Sequence, residues 1–461
     1  MRRLRVRRWV SGVLIAVGAV LGAGIWFVAV PVLTVGTAYK AKMLCSEVFV
    51  AKRAVRDAVG GLAIDDLRAL RVISAEVNEG NGIVTTRFLG LLERRARYRG
   101  GLGCALDTGA GWLAVPPDGE SLSAPARVTR LASDSIAPVA TGAGEALDAA
   151  LDAAFAEPDS SPPRRTRAVV VMQRGAIVAE RYAPGVSAKT PLAGWSMTKS
   201  VLNALVGIAV REGKLALDAP VRLAAWNATG DPRGRITVSD LLRMSSGLAF
   251  DEGQADPRSD ILRMLFGESD MAAFAASREL VARPGIRWDY STGTSMILSR
   301  VLREALGDEA YWALPREALF DPLGMSFAVL EADASGTFVA SSYMYATARE
   351  WARFGQLYLQ DGAWMGERIL PEGWVEYTRT PAPAAPPGTY GAHFWLRTPA
   401  EYRGPEAELP ADVFQAVGHE GQFITIIPSR EAVIVRLGRT RHASSWHHDR
   451  FVASILAALG Q

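Results

Sequence analysis

Alternating apolar and polar positions predict two β-hairpins far apart along the chain. The first joins Ala168–Met172 to Ala176–Tyr182, and the second joins Gln422–Ile427 to Ala432–Leu437. Helix-like sequence lies between them, and an apolar-faced helix over Asp449–Leu459 follows the second hairpin. We therefore expect a mixed α/β (α+β) fold in which one antiparallel sheet takes strands from both ends of residues 167–461 and is flanked by N- and C-terminal helices.

The region before this domain has a different pattern. Residues 39–125 read as a small α+β unit, with a helix-like run over Ser46–Val59 and alternating segments over Arg71–Asn78 and Ile83–Leu92. Residues 126–166, which are rich in Pro, Ser, Ala and Arg and largely aperiodic, are predicted to be a linker containing a first helix.

The N-terminus resembles a signal anchor. Residues 1–8 contain five arginines, and Trp9–Ala38 contains no charged residue. A helix of about 20 apolar residues can span the hydrocarbon core, and a basic flank stays in the cytoplasm. The pattern predicts a basic cytoplasmic tail at residues 1–8 and a single-pass anchor in a bacterial inner membrane at 9–38. The remainder would be periplasmic or extracellular. Cleavage after Ala38 is the alternative.

Charge and cysteine content restrict the possible partners. The five N-terminal arginines account for the formal net charge of +3, so nothing points to nucleic acid. No His or Cys cluster has zinc spacing, and we expect neither a metal nor another cofactor. The simplest assignment of the two cysteines, Cys45 and Cys104, is one disulfide in an oxidising compartment, and two buried thiols are the alternative.

The strongest chemical signal is Ser196-Met197-Thr198-Lys199, which opens the apolar run Val201–Val210. Residues three apart on a helix share a face, so the serine hydroxyl and the lysine amine can meet. Burial disfavours the ammonium form of lysine and makes a neutral amine available as a base. Six of the 51 basic residues are lysines. Because arginine cannot lose its proton, a lysine in a buried helix of this chain indicates a need for a deprotonable group.

Two further stretches carry candidate site residues. Tyr290 lies at an element boundary just before Gly293, where a side chain can project into a cleft. The segment Gly418–Gln422 begins a predicted strand, and its glycines permit close approach of a ligand to the backbone. Each stretch alone would more simply be a core tyrosine or an ordinary turn.

Together, the three motifs resemble those of the serine β-lactamase and penicillin-binding-protein superfamily. Ser196-x-x-Lys199, Tyr290-Ser291-Thr292 and His419-Glu420-Gly421 follow the order Ser-x-x-Lys, Tyr-x-Asn and Lys-Thr-Gly. Leu241–Leu248 and Pro322–Met325 are similar to stretches of the class C and esterase branch, and the chain looks most like 6-aminohexanoate-dimer hydrolases. The resemblance implies a β-lactamase-like fold with a helical subdomain over residues 167–461.

The resemblance also implies roles for the motif residues. Ser196 would be the acylated nucleophile, Lys199 its base and Tyr290 a proton relay to the leaving group. The backbone N–H groups of Ser196 and Gln422 would form the oxyanion hole. Thr292, His419, Gly421 and Gln422 would contact the substrate.

Two departures from the family pattern affect the expected substrate. Thr292 stands in place of asparagine and is short for a contact with the acylamino group of a β-lactam. His419 stands in place of lysine and is mostly neutral at pH 7. Both weaken the case for substrates with a carboxylate, although Arg439 or Arg441 could supply the charge. We therefore expect a serine hydrolase acting on a small-molecule ester or amide.

Other functions remain open at this point. The first alternative is a β-lactamase or D,D-peptidase acting on peptidoglycan-type substrates, and the second is a non-catalytic binding or sensor module, which need not retain Lys199 and Tyr290. An α/β-hydrolase is disfavoured because the sequence around Ser196 lacks the second glycine of a Gly-x-Ser-x-Gly elbow.

Overall fold

The structure, a computed structural model, describes positions 13, 17, 18 and 22 and residues 24–64, 68–109, 144–159, 162–404 and 407–460. In these parts the helices α1–α12 span Val30–Cys45, Val55–Ile64, Glu145–Phe155, Thr198–Arg211, Val238–Leu242, Asp260–Gly267, Met271–Ala276, Thr292–Leu306, Asp308–Leu314, Ala348–Leu359, Trp374–Arg379 and His448–Ala458. The strands β1–β14 span Ile73–Asn78, Ile83–Phe88, Leu92–Arg99, Gly103–Asp107, Thr166–Gln173, Ala176–Tyr182, Leu192–Ala193, Val329–Leu330, Met344–Ala346, Ala363–Trp364, Glu367–Arg368, Phe414–Gly418, Gln422–Ile427 and Ala432–Gly438.

The central sheet joins the two predicted hairpins. Its order is β12-β13-β14-β5-β6 and every neighbouring pair is antiparallel. Val435 on β14 lies opposite Val170 on β5, which brings the two ends of the domain together. The expected antiparallel sheet with strands from opposite ends of the domain is confirmed.

Helices cover both faces of this sheet, so β13 and β14 are buried along their whole length. Alternate residues of β5 serve different cores: Val170 belongs to the larger core, and Val169 to the smaller core formed with α3 and α12. This alternation is the period of two that a strand imposes on its side chains. Helix α4, which carries the Ser-x-x-Lys motif, is buried from Thr198 to Ala209 within the larger core.

The N-terminal unit is a four-stranded meander, β1-β2-β3-β4, packed against α1. A disulfide joins Cys45 at the end of α1 to Cys104 on β4, as predicted. The helix expected over Ser46–Val59 differs, because a π-turn over Ser46–Val50 and a break at Lys52, whose φ is +55°, precede α2. Strands β3 and β4 were not predicted, and most of the linker predicted at 126–166 lies outside the described residues.

The prediction of a membrane anchor at residues 9–38 is wrong. Within the described residues, no helix combines the length and the apolar character that crossing a membrane requires. This finding contradicts the single-pass inner-membrane placement with a periplasmic or extracellular catalytic domain. The last part of the uncharged run packs inside the protein instead, where Thr37 and Ala38 of α1 are fully buried. The basic tail at residues 1–8 lies outside the described residues.

Candidate active site

A tight turn presents Ser196 at the start of α4. Residues Trp195–Met197 form one turn of 3₁₀-helix that leads directly into α4. Trp195 adopts φ of +48°, a region that bulky residues rarely occupy, so the backbone is strained next to the serine. A side chain at Gly194 would meet Trp351 at 2.4 Å, which explains the glycine there. The turn is thus constrained by both residues that precede Ser196.

Lys199 is the buried partner of Ser196. Its Nζ lies 3.1 Å from Ser196 Oγ and 3.3 Å from Thr292 Oγ1, and it donates to the Ser341 carbonyl at 3.0 Å. The residue is 1% exposed. Burial lowers the pKa of Lys199 to about 8, although the negative charge of Glu252 opposes this shift. A substantial fraction of the amine is therefore neutral just above physiological pH.

Tyr290 completes the cluster from the end of the loop before α8. The Ser196 side chain is near enough to the Tyr290 hydroxyl to oppose the rise in its pKa, and the Tyr290 ring centroid lies 4.9 Å from Lys199 Nζ. The ring stacks on Trp395 at 5.5 Å. Burial raises the pKa of Tyr290 above its usual value. The hydroxyl therefore stays protonated at neutral pH and can donate.

Glu252 is a residue of the cluster that the sequence analysis missed. Its carboxylate accepts hydrogen bonds from the backbone N–H of Thr292 and, at 3.0 Å, from Thr292 Oγ1. Burial raises the pKa of Glu252, while the charge of Lys199 opposes the rise. Thr292 thereby connects Glu252 to Lys199. No motif marks this glutamate, because it lies in a polar loop that only the fold brings to the lysine.

The third motif borders the serine from the end of β12. A Cβ on Gly418 would lie 2.2 Å from the Gly194 carbonyl oxygen and 3.2 Å from the backbone nitrogen of Ser196, so only glycine permits this approach. The His419 ring meets the Trp195 ring edge-on at 5.5 Å. Surrounding protein atoms lower the pKa of His419, the charge of Glu420 opposes this shift, and the charge of Arg441 adds to it. Part of the residue stays exposed to solvent. The ring is neutral at pH 7.

Gln422 and Gly421 lie behind this edge. Gln422 pairs with Gly418 across the β12–β13 ladder, and its side-chain amide donates to the His419 carbonyl at 3.0 Å and to the Gly438 carbonyl at 2.7 Å. Gly421 has φ of +76°, and a side chain there would meet Arg436 at 2.5 Å. Both residues support the turn, and the assignment of the Gln422 N–H to the oxyanion hole stays a prediction.

The structure thus brings Ser196, Lys199 and Thr292 into one hydrogen-bonded group. The Tyr290 ring lies against Lys199, and the His419 ring lies against Trp195, the residue before the serine. Such a group can deprotonate a hydroxyl and return the proton to a leaving group. In the part of the chain that is described, no three His, Cys, Asp or Glu side chains converge where a metal ion could be held.

Comparison with known proteins agrees with this geometry. Residues 151–457 match the Beta-lactamase family. A 6-aminohexanoate-dimer hydrolase of Paenarthrobacter ureafaciens is 23% identical over 308 residues, which are 61% of this chain and 75% of the relative.

Two solved structures share the fold. A novel penicillin-binding protein homologue from Caulobacter crescentus is 18% identical with a TM-score of 0.53, covering 70% of this chain and 98% of its own. EstCE1, described as a hydrolase with promiscuous acyltransferase activity, is 15% identical with a TM-score of 0.51, covering 69% and 98%. With two thirds of its length matched by the family and the Ser-Lys-Tyr group assembled, the chain belongs to the β-lactamase family of serine hydrolases.

Proposed function

We propose that this enzyme cleaves an uncharged small-molecule ester or amide through a covalent acyl-enzyme on Ser196. The observation that carries the proposal is the 3.1 Å contact between Ser196 Oγ and Lys199 Nζ in a buried place, where the lysine pKa is lowered to about 8. A lysine in that state can accept the serine proton, which a permanently charged group could not do.

Acylation follows from the positions of these groups. Ser196 Oγ attacks the substrate carbonyl carbon while its proton moves to Lys199 Nζ. The oxyanion that forms is stabilised by the Ser196 backbone N–H, together with a second N–H that we assign to Gln422. The bond from the carbonyl carbon to the leaving oxygen or nitrogen then breaks. Tyr290 gives its hydroxyl proton to the leaving group and regains one from Lys199.

Deacylation reverses these proton movements. A water molecule takes the place of the leaving group, and the Lys199–Tyr290 pair accepts its proton as it attacks the acyl carbon. The ester bond to Ser196 Oγ then breaks and the serine regains its proton. An amine or alcohol in place of water would make the same step an acyl transfer.

Two features support an uncharged substrate. The Thr292 hydroxyl is used by Lys199 and Glu252, so it is not free to bind an acylamino group. His419 is neutral, and the charge of Arg441 is offset by Glu420 at 3.8 Å. A substrate carboxylate would therefore find weak electrostatic attraction at this edge.

Labelling with a fluorophosphonate tests the nucleophile. We expect the wild-type protein to be labelled at Ser196 and the Ser196→Ala variant to remain unlabelled. Ser187→Ala, which removes an exposed serine hydroxyl, is the matched control and should be labelled like the wild type. Labelling that survives Ser196→Ala would place the nucleophile elsewhere. In a substrate panel, a higher kcat/KM on a chromogenic cephalosporin than on esters would favour the β-lactamase alternative.

A further inference from the structure

A cavity of about 380 Å³ opens beside the nucleophile, and Ser196 itself lines it. This volume lies within the range of about 300–1,000 Å³ for small-molecule sites. Among the lining residues that the structure describes, Arg441 is the only charged one, and it is already paired with Glu420 at 3.8 Å. The rest of the lining is mainly aliphatic and aromatic, so the cavity suits an uncharged, apolar group.

Two helices from different parts of the chain provide the apolar walls. Helix α1 contributes Leu33, Gly36 and Tyr39, and helix α6 contributes Leu262, Leu265 and Phe266. The rings of Tyr39 and Phe266 meet edge-on at 5.5 Å, which joins the two walls. Helix α1 lies outside residues 151–457, so more than a third of the lining residues belong to sequence beyond the family match.

We propose that this cavity binds the acyl chain of the substrate, and that the enzyme therefore prefers esters of medium-chain, unbranched fatty acids over acetate esters. This inference rests on the proposed function, since it concerns the acyl half of the bond that Ser196 cleaves. Tyr290 and Lys199, which deliver the proton to the leaving group, do not line the cavity. The leaving group lies on their side, and the acyl chain extends the other way.

The wall formed by α1 is held firmly against the catalytic domain. Lys42 of α1 forms a buried ion pair with Glu331, and Ser46 Oγ donates to the same carboxylate at 2.9 Å. The Cys104 backbone N–H also donates to Glu331, at 2.7 Å. The N-terminal unit is thus fixed where it can select among acyl chains.

Chain-length kinetics test the inference. With p-nitrophenyl acetate and octanoate, we expect the wild-type kcat/KM to be at least about tenfold higher on octanoate, because each methylene buried in an apolar site adds binding energy. Gly36→Leu should remove most of this preference. A Cβ at Gly36 makes only ordinary contacts, at 3.6 Å to Ile73 and 3.7 Å to Leu70, and the remaining atoms fill the cavity. Leu262→Phe fills it from the opposite wall.

Gly60→Leu is the matched control, since Gly60 lies in helix α2 of the same unit, away from the cavity, and has no atom within 4 Å of its Cβ position. It should keep the wild-type preference. Equal kcat/KM on acetate and octanoate in the wild type would overturn the inference, as would an unchanged preference in both cavity-filling variants.

A second series distinguishes the two halves of the substrate. If octyl acetate is favoured over ethyl acetate while acyl length has no effect, the cavity binds the leaving group and the acyl assignment is wrong. Labelling of Ser196 by a small fluorophosphonate separates these outcomes from failure of the proposed function. If Ser196 is labelled but the enzyme shows no chain-length preference, only the acyl site is refuted. If Ser196→Ala is still labelled, the nucleophile assignment is refuted.

Discussion

Lys199 is a lysine in a chain whose other basic positions are mostly arginine, and its surroundings explain the choice. The amine is almost fully buried, bonded to Ser196 and Thr292, with a pKa of about 8. We predict that Lys199→Arg lowers kcat by about 10² or more, because a guanidinium stays protonated at any usable pH and cannot accept the serine proton. Steady-state kinetics on an ester substrate measure this loss.

The control is Lys199→Ala, which removes both the charge and the base. If neutrality of the amine is what matters, arginine and alanine should be similarly damaging. A folded Lys199→Arg enzyme within about threefold of the wild type, still labelled at Ser196, would refute the neutral-amine mechanism. Circular dichroism and thermal unfolding of each variant separate loss of fold from loss of chemistry.

A pH profile follows from the same residue. Below a pH of about 8, Lys199 is mostly an ammonium ion and cannot act as a base. We predict that kcat/KM on an uncharged ester rises with pH and levels off above an apparent pKa of about 8. A flat profile between pH 6 and 9 would contradict the assignment of Lys199 as base.

Glu252 offers a sharper version of this test. Its negative charge raises the pKa of Lys199, so removing it should lower that pKa. We predict that Glu252→Gln shifts the rising limb of the kcat/KM profile to lower pH, whatever happens to the maximal rate. Asp251→Asn, the exposed neighbour, is the matched control and should leave the limb in place. An unshifted limb in Glu252→Gln would show that the carboxylate does not influence the base.

The site residues that could be predicted from the sequence are those whose partners lie only a few positions away along the chain. Ser196 and Lys199 are three positions apart on a helix, so their contact follows from helical geometry alone. Glu252 could not be predicted, because its contact with Thr292 spans 40 positions and depends on how a loop folds over α8. The role of Thr292 could not be predicted for the same reason, because its hydroxyl contacts Lys199 and Glu252 only in the folded chain.

At the scale of elements, the same distinction applies. The two hairpins were predictable because strand, turn and strand are adjacent, and the observed strands differ from the predicted ones by at most two residues at any end. Strand β3 escaped prediction because it carries Arg94, Arg95 and Arg97 and buries only Ala96 of its eight residues. Without a continuous apolar face, the period of two is weak.

One buried carboxylate of the catalytic domain, that of Glu331, supplies polar contacts to α1. Glu331 is fully buried and bonded to Lys42, Ser46 and the Cys104 backbone. We predict that Glu331→Gln lowers the free energy of unfolding by about 3–5 kcal/mol, because it leaves the Lys42 ammonium buried without its counter-charge. Denaturant unfolding monitored by tryptophan fluorescence measures the change.

The double variant Glu331→Gln with Lys42→Met is the matched control. Removing both charges should restore part of the lost stability, since the cost lies in the unpaired ion rather than in the absence of the pair. If Glu331→Gln is as stable as the wild type, the pair does not hold the two parts together. If the double variant loses more free energy of unfolding than Glu331→Gln and Lys42→Met lose together, the hydrogen bonds contribute more to stability than the charges do.

At the scale of the whole molecule, the N-terminal sequence was misread for a physical reason. Apolar residues leave water in the same way whether they enter a bilayer or a protein core, so composition alone does not distinguish the two. Just beyond the predicted anchor, Lys40 and Lys42 are both buried in α1, and they donate to Leu70 and Glu331, which lie at least 30 positions away along the chain. Such long-range partners are not visible in the local pattern.

The disulfide ties this unit together, and its effect on the whole molecule can be measured. Cys45 and Cys104 are 59 positions apart, and both are buried. In the chain-entropy model, closing a loop of this length stabilises the folded protein by about 4 kcal/mol. We predict that the Cys45→Ala, Cys104→Ala double variant lowers the free energy of unfolding by up to about that amount, as measured by urea unfolding without reductant. Adding reductant should destabilise the wild type to a similar extent and leave the double variant unchanged. If reductant destabilises both proteins, the loss of stability does not come from breaking this disulfide. Because Cys45 ends the helix that lines the cavity, the double variant should also lose part of the preference for octanoate over acetate.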